Sequence, residues 1–101
     1  MSRSNQPLSP DVAKRLRSLG NRIKLARMRR HISASLMAER LGISRTTLGR
    51  LEAGEPAIAI GTYLKALRVF GLEGSIDAIA HDDPVGRALQ DEEVSIRRAR
   101  K

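Results

Sequence analysis

Apolar residues recur at helical spacing along most of the chain. Leu16, Leu19, Ile23 and Ala26 follow one another at intervals of three, four and three, while Lys14, Arg15, Arg17, Arg22, Lys24, Arg29 and Arg30 fall on the other faces. The pattern predicts a long basic amphipathic helix from Pro10 to Arg30, opened by Ser9-Pro10-Asp11: a hydroxyl cap, a proline at the first helical position and an acid in the first turn. Gly20 weakens that helix by about 1 kcal/mol relative to alanine and is a point at which it can split. Ser33 is placed to cap a second helix, Ala34 to Leu41, with Met37, Ala38 and Leu41 inward and Gly42 as its left-handed stop. Ile43 anchors the turn. Ser44 then caps a third helix from Arg45 to about Ala53, whose Leu48 and Leu51 share one face and which Gly54 and Pro56 end. Ile60 to Phe70 repeats the pattern through Tyr63, Leu64, Leu67 and Phe70, and Ser75 to Ala80 reads as a short last helix packing through Ile76 and Ile79.

The ends lack this order. Met1 to Leu8 carries no periodicity and reads as a flexible arm; after His81 the helical pattern lapses, and Val94 and Ile96 alternate with Glu93, Ser95 and Arg97 as in a brief strand. The expected organisation is an arm over 1–8, an all-α five-helix domain over 9–81, and a tail over 82–101 that is disordered or makes dimer or partner contacts. Only Tyr63 and Phe70 are aromatic, so the core must be aliphatic. With no cysteine there is no thiolate metal site and no disulfide, which suits a reducing compartment. The amino terminus has no apolar signal core and no apolar run approaches a membrane span, so a cytoplasmic protein without membrane contact is expected.

Charge changes the picture. The chain carries a net +8, and residues 1–31 alone hold nine Lys/Arg against one acid, the rest being balanced. Such asymmetry points to a polyanionic partner, nucleic acid before membrane; a solubilising surface is the alternative. Two short helices joined by a tight glycine turn, the first buried through a small alanine and the second exposing Arg45, Thr46, Thr47, Gly49 and Arg50, meet the specification of a helix-turn-helix. Its second helix would enter the major groove N-terminus first. Gly49 is bare either because a side chain would strike a base edge or sugar, or because the position is neutral. Arg22 and Lys24 are candidates for phosphate contacts or a solvated face.

The stretch "LARMRRHISASLMAERLGISRTTLGRLEAGE" resembles the Xre (Cro and CI repressor) helix-turn-helix family, over about Leu19 to Ala80. The resemblance implies a five-helix domain that binds an inverted-repeat operator in double-stranded DNA as a homodimer, with base-edge contacts from Arg45, Thr46 and Arg50 and phosphate contacts from Ser44 and Thr47. It also implies an ion pair between Arg27 and Glu52. A carboxylate in a DNA-facing segment would repel phosphate unless so paired. Where the family often has glutamine this chain has Ala34, and Met37 stands for the usual leucine. The flank from Gly54 to Leu89 resembles the HipB-like antitoxins, which implies autoregulation of an operon and neutralisation of a HipA-like kinase toxin, with the tail dimerising by strand pairing over Val94–Arg97. The alternative is a stand-alone regulator. No nucleophile elbow, phosphate loop or zinc spacing is present, so an enzyme, a cofactor and a metal are not expected. A basic adaptor for RNA or protein is the other class of reading, and the scarcity of aromatics argues against single-stranded RNA.

Overall fold

The computed structural model describes residues 6–100; the reading of residues 1–5 as part of an arm lies outside them, and Gln6–Ser9 carry no helix. The element order is α1 (Pro10–Arg29), α2 (Ala34–Leu41), α3 (Arg45–Glu52), α4 (Ile60–Val69), a 3-10 helix (Glu73–Ala78) and α5 (Pro84–Ala99), and among the described residues there is no strand. The fold is all-helical, as the periodicity predicts.

The starts are chemical. Ser9, Ser33 and Ser44 each accept a backbone N–H three residues ahead, from Val12, Leu36 and Thr47, satisfying donors that a helix start leaves unpaired. Gly42 ends α2 at φ 67°, ψ 33°, where any side chain would be strained, and Ile43 N–H returns to Ala38 O at 3.0 Å to close the turn. His31 takes the same left-handed role after α1, at φ 55°.

The core is one cluster: Ile23 and Ala26 of α1, Met37, Ala38 and Leu41 of α2, Leu48 and Leu51 of α3, and Tyr63, Ala66 and Phe70 from α4 and its end. Leu51 and Met37 have no measurable exposure, so α3 is fixed from beneath by side chains that no solvent reaches.

Three expectations are settled or corrected. First, the option of a break at Gly20 closes: α1 is one helix over Pro10–Arg29, as its apolar stripe predicts, and the glycine is where α1 and α3 touch. A Cβ there would lie 2.6 Å from the carbonyl oxygens of Leu51 and Glu52 and 2.7 Å from Gly54 N. Second, the last helix of the domain is a 3-10 turn beginning at Glu73, and Ile79 lies beyond it and is 67% exposed. Third, Val94–Arg97 belong to α5, a 16-residue helix, and not to a strand. Asp83 caps it by accepting Gly86 N–H, with Pro84 at the first helical position.

Candidate nucleic-acid interface

The geometry of α3 follows from what lies under it. Leu48 and Leu51 are 1% and 0% exposed and set the helix's rotation on the core, which turns Arg45, Thr46, Gly49 and Arg50 to solvent. A Cβ at Gly49 would meet nothing within 4 Å among the described residues, so none of them requires a glycine there. Arg45, Thr46 and Gly49 line a shallow depression with Ala34 at the start of α2. A short side chain at position 34 leaves that depression open where a longer polar one would fill it.

At the N-terminus of α3, Ser44 is already engaged: it accepts from Thr47 N at 3.0 Å and donates its hydroxyl proton to Thr47 Oγ1 at 3.0 Å. The pair stiffens the end of the helix whose free N–H groups and dipole favour an anion. Thr47 itself is half-buried, and Ser44 is exposed.

The far end of α3 is locked to α1. Arg27 Nε donates to Glu52 Oε2 at 2.8 Å and its Nη2 to Oε1 at 3.1 Å, a bidentate pair, while Nη1 donates to Ile32 O at 2.9 Å. Both side chains are about nine-tenths buried, at 11% and 8% exposure. The hydrogen bonds that Glu52 accepts push the guanidinium's pKa above its ordinary value despite burial, so the cation is fixed in place. The same guanidinium therefore holds the α1–α2 turn and the end of α3 together, and Glu52 presents no free carboxylate to a polyanion. Beside this lock the backbones approach through Gly20 and Gly54, the latter at φ 74° with Arg17 Cα 2.5 Å from where its Cβ would stand.

Arg22 and Lys24 are not brought together. Two residues apart on a helix, they point about 200° from each other. Lys24 falls about 40° and 60° from Gly20 and Arg27, the sector that faces α3. Arg22 donates to Ser18 Oγ at 2.7 Å and lines an apolar groove on the side toward α4.

Glu55 is the feature that sequence reasoning missed. It lies 3.6 Å from Arg50 Nε, an exposed pair at the edge of the recognition surface. Glu55 also meets Tyr63 through its backbone, accepting the phenol's hydroxyl at 3.3 Å. Burial, with the Glu55 charge second, pushes the Tyr63 pKa above its usual value. The position three residues after Glu52, just past the helix end, is the one signal that could have found it.

Among the described residues no group of three or more His, Asp or Glu side chains is placed to hold a metal, and no helix is long and apolar enough to cross a membrane. A family model described as Helix-turn-helix, HTH_3, matches residues 23–75, which hold α2, α3, α4 and the C-terminal part of α1. No curated protein and no solved structure matches the chain.

Proposed function

Because the chain belongs to the Xre-like HTH_3 helix-turn-helix family of DNA-binding transcription regulators, we propose that it is a repressor that binds an inverted-repeat operator as a homodimer. In this reading α3 enters the major groove. Arg45 and Arg50 bond guanine edges, Thr46 meets a thymine methyl or base edge, and Gly49 lets the helix approach closely. Ser44, Thr47 and the N-terminus of α3 take phosphates, joined by Lys24 on the flank of α1. Arg22, aimed at the groove on the other side of α1, is the outlying phosphate candidate. The observation that carries the reading is the two-sidedness of α3: apolar side chains wholly buried below, arginine, hydroxyl and bare backbone above, exposed among the described residues.

Selection from a random duplex library tests it. The expected product is an inverted repeat with half-site centres about 34 Å apart, one helical turn. Arg45→Ala should then lose about 1 to 3 kcal/mol of discrimination at one base pair of each half-site. Enrichment of no sequence, or of a direct single site, overturns the proposal.

The resemblance of Gly54–Leu89 to HipB-like proteins supports a narrower reading, an antitoxin that also neutralises a HipA-like kinase. The helical course of Val94–Arg97 removes the strand pairing which that resemblance implies. Affinity purification of the chain expressed from its own operon separates the two: recovery of a stoichiometric kinase supports the antitoxin, and recovery of the chain alone leaves a stand-alone regulator.

A further inference from the structure

Two features of the molecule have no partner among the described residues. The first is an apolar groove of about 500 Å³ between α1, α4 and the 3-10 helix, lined among others by Leu19, Ala26, Ile60, Leu67, Ile76 and Ile79. Ile60 and Ile79 are 62% and 67% exposed, although each borders a continuous apolar surface. Arg22 and Arg29 stand along its α1 side, two turns and about 10 Å apart.

The second is α5, none of whose residues is buried. Val85, Leu89 and Ile96, with Ala88 and Ala99, form one stripe at spacings of three, four and seven, and Glu92 sits inside that stripe between Leu89 and Ile96. An acid in the middle of an apolar stripe is costly to bury unless a cation meets it. The groove offers cations at its edge, and the stripe offers a carboxylate between aliphatics, so the two surfaces are complementary in apolar character and in charge.

We propose that two copies of this chain exchange α5, each laying the Val85–Leu89–Ile96 stripe in the other's groove, with Glu92 against Arg29. This rests on the homodimer of the functional reading and names how that dimer forms. The observed course of α5 favours a second copy over folding back, since the helix stands with none of its residues buried. Asp83 Oδ1 accepts Gly86 N–H at 3.0 Å, Arg87 N–H donates to Asp83 O at 3.0 Å, and Arg87 Nη2 meets Asp82 Oδ1 at 2.8 Å. These bonds fix the first turn of α5, and the described chain measures 64 Å against 36 and 22 Å in its other dimensions. A terminal helix that stands unpacked in this way leaves its apolar stripe to be covered by a second copy, and a two-fold exchange covers both stripes at once. The exchange is isologous and closes at two chains.

The absence of cysteine makes the test direct. Ile60→Cys marks the groove and Leu89→Cys marks the α5 stripe, each replacing an exposed side chain. The two single variants, mixed and treated with a short bis-maleimide, should give a covalent species of twice the 11.1 kDa chain mass. Val94→Cys, on the opposite face of α5, should give several-fold less with the same groove variant. Leu89→Arg should sediment at the mass of one chain with its helical circular dichroism unchanged. If the wild type sediments as a dimer but the mixture yields no cross-link above the Val94→Cys control, the exchange is overturned and the dimer stands. If the wild type sediments as a monomer, both fall. Cross-linking only within the doubly substituted chain would mean that α5 folds back on its own groove, and would likewise overturn the exchange.

Discussion

Gly20 and Gly49 are both glycines inside helices, and they mean opposite things. Gly20 lies at a closed contact, where three backbone atoms of α3 and its exit would stand within 2.7 Å of an added Cβ; Gly49 lies on an open face, where an added Cβ would meet nothing. Helix propensity penalises both alike. The first is therefore required by the fold, and the second is free to serve something outside it. The same contrast separates the charged residues: Arg27 and Glu52 are buried and mutually bonded, while Arg45 and Arg50 stand outside.

The largest effect should come from the closed side. Arg27→Ala leaves Glu52 buried without its cation and Ile32 O without a donor, and should cost about 3 to 5 kcal/mol in urea unfolding. Gly20→Ala comes next. It gains up to about 1 kcal/mol of helix propensity, yet forces α1 from α3, and should be destabilising by about 1 to 3 kcal/mol or more. An increase in the unfolding midpoint would show that the two helices are not held in this contact.

Tyr63 ties the closed side to the loop after α3. Its raised pKa means the folded chain holds the phenol proton more tightly than the unfolded chain does. Stability from this source is full below the unfolded value near 10.0 and is lost as pH climbs through the folded one. Tyr63→Phe should flatten stability against pH above about 10 while costing roughly 1 kcal/mol at neutral pH through the lost bond to Glu55 O. On the open side, Gly49→Ala should have the smallest effect on folding, a stabilisation of up to about 1 kcal/mol, and should weaken operator binding. Glu55→Gln should strengthen binding to any duplex and steepen nothing else, because it removes a surface carboxylate beside Arg50.

The comparison also separates what was legible in the sequence from what was not. α2 and α3 were legible to within a residue because Ser33, Gly42 and Ser44 are local signals that act on their own neighbours. The side of α3 that faces inward followed from the spacing of Leu48 and Leu51. The role of Gly20 was not legible because propensity concerns one helix, and its reason lies on another, 31 to 34 residues later in the chain. That Arg22 and Lys24 diverge is legible from helical periodicity, but that Arg22 borders a groove was not, because the groove's other walls come from α4 and the 3-10 helix.

α5 was missed although its start repeats the signal that revealed α1. Asp83-Pro84 is the same cap-and-proline pair as Ser9-Pro10. Its stripe is interrupted by Glu92, and the alternation over Glu93–Arg97 mimics a strand, so the local pattern was ambiguous where the capping chemistry was not. Ile79 failed differently. It was counted among packing residues for its type and spacing, and the 3-10 turn leaves it largely in solvent.

The central claim is that the exposed face of α3 reads base pairs. Fluorescence anisotropy of the selected operator duplex against a scrambled duplex, with wild type and Arg45→Ala at one salt concentration, measures it most directly. Arg45→Ala should lose about five-fold to 150-fold of the preference for operator, corresponding to about 1 to 3 kcal/mol, at an unchanged unfolding midpoint. An unchanged preference would contradict the claim.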